Sequence, residues 1–375
     1  MRYEVVVLGA GINGLATAYS LKRQGVSKLA VLEQFQLGHT QGSSHGRSRI
    51  TRSTYSTPKY VELMQLVHGR LWPAWEEAAG HPLLHKNPGI FFGPGLGHYQ
   101  ESLRELPSVR VEEIAAAEAR RRFPPFLFPD SQRVLVDHTC AVVAADRTMR
   151  FLAGQLHDHV LENCQVQSID QGPQIFLNTT RGGIECERLV VTAGPWTSRL
   201  LPGLKPNLRP AHQDVGYFEI EASGRVGDFP VWVYAGEQAD DSFYGLPEFE
   251  RAGVKLARHR TGPHGDDPDR AIGEVLPPAA AADLQNFVTR QWSGTARLVG
   301  YDACIYTNTC SEDFILDHLP EDPRVVVGAG FSGHGFKFAP LTGQVLAELA
   351  LFGRTSFPEF ERHRQAFGFA TAVCW

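Results

Sequence analysis

The chain opens on an uninterrupted apolar run, Val5-Val6-Val7-Leu8, then Gly9-x-Gly11-x-x-Gly14, then Leu15, Ala18 and Leu21 at helical spacing. A short apolar run predicts a buried strand, and a 3.6-residue period predicts one face of a helix, so the pattern is strand, tight turn, helix. Lys22 and Arg23 close that helix, Gly25 stops it, and Leu29-Ala30-Val31-Leu32 is a second buried strand ending on Glu33. Two later blocks repeat this style. Between about 145 and 205 the pattern predicts a helix near Thr148 to His157 and short strands at Gln165 to Ile169 and Gln174 to Leu177. After the turn Arg181-Gly182-Gly183, the strand Leu189-Val190-Val191 runs into Thr192-Ala193-Gly194-Pro195-Trp196. Near the C-terminus, Val325-Val326-Val327-Gly328-Ala329-Gly330 leads through a loop to a helix containing Val345, Leu346 and Leu349.

The intervening segments have a different character. A polar loop from about Gly38 to Ser53 precedes a helix announced by Thr57-Pro58, with Val61, Met64, Leu71, Trp72 and Trp75 as its buried face. Residues 86 to 137 are proline-rich and mixed in pattern. Short β-prone runs at Val215, Tyr217 to Ile220, Val231 to Tyr234 and Phe243-Tyr244 predict an antiparallel sheet. The fold expected is α/β and α+β: a Rossmann-type domain formed discontinuously by 1–85, 141–209 and 298–375, with an antiparallel-sheet substrate domain inserted as 86–140 and 210–297.

At 375 residues and 43% apolar content the chain is long enough for two cores. A net charge of -5 without a long basic run excludes nucleic acid as an expected partner. No apolar stretch reaches the roughly 18 residues that span a bilayer, and Tyr3 already begins the first strand, so a cytoplasmic protein without membrane contact is expected. The six cysteines, Cys140, Cys164, Cys186, Cys304, Cys310 and Cys374, show no C-x-x-C spacing, which argues against a structural metal and against a disulfide framework. The last residues, Ala372-Val373-Cys374-Trp375, carry no peroxisomal tripeptide and no lipidation box.

The first turn carries the first chemistry. In a strand-turn-helix, one glycine makes the turn, one lets a pyrophosphate approach the backbone, and one lets helix and strand pack closely; an acid ending the second strand accepts the ribose hydroxyls. Gly9, Gly11, Ile12, Asn13 and Gly14, with Glu33 and Gln34, are therefore the expected dinucleotide cradle, with NAD and FAD both open at this point. The run Ser43-Ser44-His45-Gly46-Arg47-Ser48-Arg49-Ile50-Thr51-Arg52 places a histidine and several guanidiniums just beyond the second strand. A guanidinium is a natural fork for a carboxylate, although the same run also reads as a solvated basic loop.

Together with Cys304-Ile305-Tyr306-Thr307 and Gly330-Phe331-Ser332-Gly333-His334-Gly335-Phe336-Lys337-Phe338, these motifs resemble those of the monomeric sarcosine oxidase family, a branch of the D-amino acid oxidase-like FAD amine oxidases. Phe243-Tyr244-Gly245-Leu246-Pro247 and Gly253-Val254-Lys255-Leu256-Ala257-Arg258-His259 fit the same pattern. The resemblance implies FAD as cofactor, bound also by Ser44, His45, Arg49, Gly333, His334, Gly335 and Lys337, and attached covalently through a thioether to Cys304. Read alone, Cys304 is a small buried core residue. The resemblance further implies that Arg52 and Lys337 hold a substrate carboxylate, that Tyr244, His259 and Tyr306 line the pocket, that His45 and Arg49 sit against the flavin ring, and that Lys255 sits on the other flavin face to promote reduction of dioxygen. Family members carry an acid and a threonine where this chain has Arg47 and Ser48. Gly194-Pro195-Trp196 resembles a fold signature and is given no catalytic role; Cys310 is left structural.

The activity implied is oxidation of a secondary amino acid, either a sarcosine-like N-methyl amino acid or cyclic L-pipecolate or L-proline, by a monomer that releases hydrogen peroxide. Two other readings stay open: an FAD amine dehydrogenase that uses a protein electron acceptor, and a non-catalytic FAD-binding protein.

Overall fold

The computed structural model describes residues 1–104, 109–204, 207–260, 265–270 and 275–369; the tail Ala372–Trp375, with Cys374, lies outside them. Its first sheet is parallel at the centre. Arg2–Leu8 lies between Leu29–Leu32 and the strand Gly182–Val191, and the outer half of the latter takes Asp322–Ala329 as a further parallel neighbour. All three apolar blocks read from the sequence thus meet in one sheet. Alternation along each strand divides them between two cores. Val5, Val7, Val31, Val190 and Val326 face the helices, while Val6, Leu8, Leu32, Leu189, Val191, Val325 and Val327 face the other side.

Helices Ile12–Arg23 and Ala339–Phe352 cover the first face and press on each other. A Cβ added at Gly343 would come within 2.5 Å of the Ala16 Cβ, so glycine sets this close approach. The helix that starts at Pro58 runs to Leu66, passes through a π-helical turn at Val67–Leu71 and continues as Trp72–Ala79. Its expected buried face is buried throughout.

The second sheet has eight strands, antiparallel except where Val231–Tyr234 runs parallel to Gly89–Phe92. The poorly patterned 86–137 region supplies three of them, Gly89–Phe92, Val111–Ala115 and Arg133–Asp137. The long strand Ala296–Asn308 pairs with Arg209–Ile220 along its whole length, so the boundary placed at 298 cuts through a strand of this sheet. That strand has no glycine-rich turn to mark it, and only pairing reveals its allegiance. One face of the sheet is closed by helix Pro278–Gln291 over an aromatic core, in which the Trp232 and Phe287 rings stack at 5.3 Å. The opposite face looks into a cavity. Val254 and Leu256 point to the aromatic core, so Lys255 points the other way, with Tyr244 from the neighbouring strand.

In a third, three-stranded sheet, Ser48–Thr51 and Leu84–Lys86 flank Ala141–Ala144. Cys140, Cys164, Cys186 and Cys304 are free thiols. Cys310 is disulfide-bonded, a correction to the expectation of unpaired thiols: its pairing leaves no C-x-x-C signature in the sequence. Among the described residues no helix is long and apolar enough to cross a membrane, and no cluster of metal-ligating side chains occurs.

Candidate active site

A cavity of about 1600 Å³ runs from the first glycine turn to the face of the second sheet. It exceeds the roughly 300–1,000 Å³ typical of single-ligand pockets, as a site for both a dinucleotide and a substrate should. Gly9, Gly11, Ile12, Asn13, Glu33 and Gln34 line one end. A Cβ at Gly9 would lie 2.6 Å from the Thr192 carbonyl oxygen, and one at Gly11 would lie 3.2 Å from Ser44 Oγ, so bare backbone faces the cavity here. Gly14 does not line the cavity: a Cβ there would lie 1.8 Å from the Gly9 carbonyl oxygen, which makes it the close-packing glycine of the turn.

Glu33 is buried and accepts the Ala10 amide at 2.8 Å and the Phe35 amide at 3.0 Å. Burial alone would raise its carboxyl, but His39 and the two amides outweigh it and hold Glu33 ionised below the ordinary range. Ser44 Oγ accepts the Ile12 amide at 2.9 Å and so ties the second motif to the start of the first helix. These features fit a dinucleotide.

The middle of the cavity is basic. His45 Nε2 meets the Ala303 carbonyl at 2.8 Å, so Nε2 carries the proton; its Nδ1 is buried with no protein partner. Burial, then Arg49, push the imidazole down to about 4, so it is neutral at physiological pH. Arg49 is fixed by its own loop, donating to the carbonyls of Ser43 at 2.8 Å and His45 at 2.6 Å, with Phe336 beneath the guanidinium. Arg47 also lines the cavity, where it pairs with Asp146, and that carboxylate offsets its charge. Cys304 is the only one of the four free thiols that is not fully buried, and it lines this region. Lys255 is buried and donates to the Ser48 carbonyl at 3.3 Å, with no salt bridge to it among the described residues. Burial, then Arg49, push its ammonium down to about 7.

At the far end stands an aromatic wall. The Tyr306 hydroxyl lies 3.3 Å from that of Tyr244, and the His259 ring meets Tyr306 edge-on at 5.5 Å. Burial, then Arg52 and Lys337, hold His259 down at about 3. Gly333 makes room for this wall: its φ is +78°, and a Cβ would lie 2.3 Å from the Tyr306 ring. Beside the wall, Arg52 lies over Tyr55 at 4.3 Å and Phe91 at 5.3 Å, and Lys337 Nζ donates to the Tyr55 hydroxyl at 3.0 Å. Among the described residues neither cation forms a salt bridge. Burial, then Arg52, hold the Lys337 ammonium well below its ordinary value. His334 and Gly335 line the cavity beside Lys337, and Trp196, also in the lining, donates to Asp269 at 2.7 Å.

Sequence reasoning missed the groups that hold Arg52. Buried Asp137 accepts the amides of Ser53 at 3.0 Å and Thr54 at 2.9 Å, the Thr54 hydroxyl, and both the amide and hydroxyl of Thr139. On the other side His68, carried by the π-helical turn, meets Thr51 Oγ1 at 2.6 Å and Ser53 Oγ at 3.2 Å. Asp137 carries no local signal, and Tyr55 lies three residues beyond the motif that ends on Arg52, close enough in sequence to have been suspected.

A family model described as FAD dependent oxidoreductase (DAO) matches residues 4–349. The chain is 33% identical over 366 residues to the monomeric sarcosine oxidase of Bacillus sp. (strain B-0618), covering 94% of this chain and 93% of that one. It is 35% identical to the peroxisomal sarcosine oxidase of Mus musculus, covering 93% and 92%. Among solved structures, NikD, an amino acid oxidase of nikkomycin biosynthesis, superposes with a TM-score of 0.82 at 22% identity, covering 96% of each chain. Glycine oxidase from Geobacillus kaustophilus superposes with a TM-score of 0.78 at 19% identity, covering 98% of each.

Proposed function

The chain belongs to the DAO family of FAD dependent oxidoreductases and is an FAD-dependent amino acid oxidase of the sarcosine oxidase type; on that premise we propose that its substrate is a secondary amino acid, oxidised to an imine with release of hydrogen peroxide. The observation that carries this reading is the pair of cations, Arg52 and Lys337, that form no salt bridge among the described residues and stand beside the wall of Tyr244, His259 and Tyr306. FAD, when bound, supplies the two-electron acceptor chemistry that turns a C–N bond into C=N and passes the electrons to dioxygen. Gly9 to Asn13 with Glu33 and Gln34 would hold its dinucleotide part, and Ser44, His45, Arg49, Gly333, His334 and Gly335 its ring system. The imine hydrolyses to an amine and an aldehyde when the carbon lost is an N-methyl group.

The chain's own residues prepare the substrate. Arg52 and Lys337 take the carboxylate and fix the amino acid's direction. The same cations disfavour a third positive charge nearby, so the bound substrate sheds its ammonium proton and presents a neutral amine to the wall. His259 and His45 are already neutral and add no competing charge. Lys255, which forms no salt bridge among the described residues, places a cation where negative charge develops during oxygen reduction. That lysine favours the oxidase over a dehydrogenase with a protein acceptor. Cys304 is the thiol for covalent attachment, because it alone among the free thiols is open to the cavity's basic middle. A cytoplasmic monomer acting on N-methyl amino acids, L-pipecolate or L-proline completes the proposal.

The test is the absorbance spectrum of the purified protein, before and after acid precipitation, followed by anaerobic addition of sarcosine, L-pipecolate and L-proline in turn. Yellow colour kept in the pellet, and lost on Cys304→Ser, is the expected mark of the thioether; bleaching of the native flavin by one amine identifies the substrate class. A yellow supernatant would remove the Cys304 assignment, and a flavin bleached by none of the three would move the electron donor elsewhere.

A further inference from the structure

The hydrogen bonds around Lys337 have a direction. His334 Nε2 lies 2.9 Å from the Glu312 carbonyl oxygen, which can only accept, so Nε2 carries the ring proton. In the neutral ring Nδ1 is then an acceptor, and the Tyr55 hydroxyl 3.3 Å away must donate to it. The Tyr55 oxygen is left to accept from Lys337 Nζ at 3.0 Å, while a second Lys337 N–H goes to the His334 carbonyl at 3.3 Å. An ammonium has three N–H groups, and only one remains for a ligand. The same Tyr55 ring lies under the Arg52 guanidinium at 4.3 Å. Among the described residues, Tyr55 is thus the side chain that touches both unpartnered cations of the cavity, one through its π face and the other through its oxygen.

We infer that Tyr55 is the positioning residue of a two-cation carboxylate clamp, setting the spacing of Arg52 and Lys337, with His334 fixing the direction in which its hydroxyl points. The inference rests on the reading of Arg52 and Lys337 as the carboxylate site. The chain ends on a backbone carbonyl, which takes no proton, so it orients groups and does not conduct protons to solvent. Arg52 Nη1 already donates one N–H to the Thr54 carbonyl, so the clamp offers one bond from the lysine and those that remain on the guanidinium, enough donors for a single carboxylate. A neutral amide in place of the carboxylate, with its own N–H groups, would face donors on both sides.

The probe is acetate, titrated into the flavin-loaded enzyme and followed by the perturbation of its visible spectrum. Tyr55→Phe removes one oxygen and is expected to weaken acetate by about 10-fold, the scale of a hydrogen bond to a charged group. Tyr55→Leu also removes the ring beneath Arg52 and is expected to weaken it further, with the flavin spectrum confirming that both variants are folded. In steady state KM rises by a larger factor than kcat falls. In a Lys337→Met background, Tyr55→Phe should change acetate affinity by less than about two-fold, because the oxygen then has no cation to hold. The proposal is overturned if Lys337→Met weakens acetate and Tyr55→Phe does not, or if Tyr55→Phe costs as much without Lys337 as with it. If neither Arg52→Met nor Lys337→Met weakens acetate, the carboxylate site itself is elsewhere and the reading beneath the proposal falls too.

Discussion

At the Gly9–Glu33 end of the cavity the chain offers backbone, with side chains pared away so that amides and carbonyls can approach a ligand; at the Arg52–Lys337 end it offers a buried lysine and a half-buried arginine held by tyrosine, carbonyls and one distant aspartate. The first end is assembled from neighbours in sequence, and its tolerances are steric. The second is assembled from residues far apart in sequence, Tyr55 and Lys337 being separated by 282 positions, and its tolerances are electrostatic. Steric errors at the first end should cost the cofactor. Electrostatic errors at the second should cost turnover while the flavin stays in place.

The largest expected effect breaks the backbone end. Gly14→Val drives carbon into the Gly9 carbonyl and should cost about 3 kcal/mol or more, giving protein without visible flavin absorbance; a yellow, active variant would show that the turn has slack. Next, Lys255→Met should keep the flavin and slow reoxidation by oxygen about 100-fold in stopped flow. Since the Lys255 ammonium is charged below about 7 and neutral above, the wild-type oxygen step should slow as pH rises through that value, whereas the variant's slow rate should be flat. An equal pH slope in both would assign the titration to another group.

Asp137→Asn probes the support of the cationic end. An amide would turn N–H groups toward some of the five donors that now converge on Asp137, costing about 2 kcal/mol of stability and raising KM about ten-fold through the loop that carries Arg52. Thermal melting and steady-state kinetics read the two separately; loss of stability alone would make Asp137 a purely structural residue. The smallest effect returns to the backbone end. Glu33→Gln, in a Cys304→Ser background so that flavin can dissociate, should weaken flavin retention on gel filtration by about 1 kcal/mol, because one oxygen facing Ala10 or Phe35 becomes a donor.

This contrast also explains what the chain could reveal before its fold was known. Gly9, Gly11, Gly14 and Glu33 are legible because strand, turn and helix place them by local period alone. Arg52, Lys255 and Lys337 stand out only within longer motifs, since a lone basic residue in a strand or loop is ordinarily a surface group. Asp137 was illegible. Its role comes from the three-stranded sheet that brings residues 51–54 against 137–141, a pairing no periodicity announces. The same holds for Ala296–Asn308, whose place in the second sheet is set by Arg209–Ile220.

The order of synthesis gives the parallel sheet a further meaning. Asp322–Ala329 is the last strand to join it, and the loop after that strand supplies Gly333, His334 and Lys337. Until that strand and loop are made, Leu189–Val191 has an open edge, Tyr55 has no lysine to hold, and Tyr306 lacks the close approach of Gly333. On the proposed site, flavin capture should therefore wait on the loop that follows Asp322–Ala329. A transcript truncated before codon 322 would lack both the strand and the loop, and its product should expose the edge Leu189–Val191 with no Gly333, His334 or Lys337 to complete the cavity.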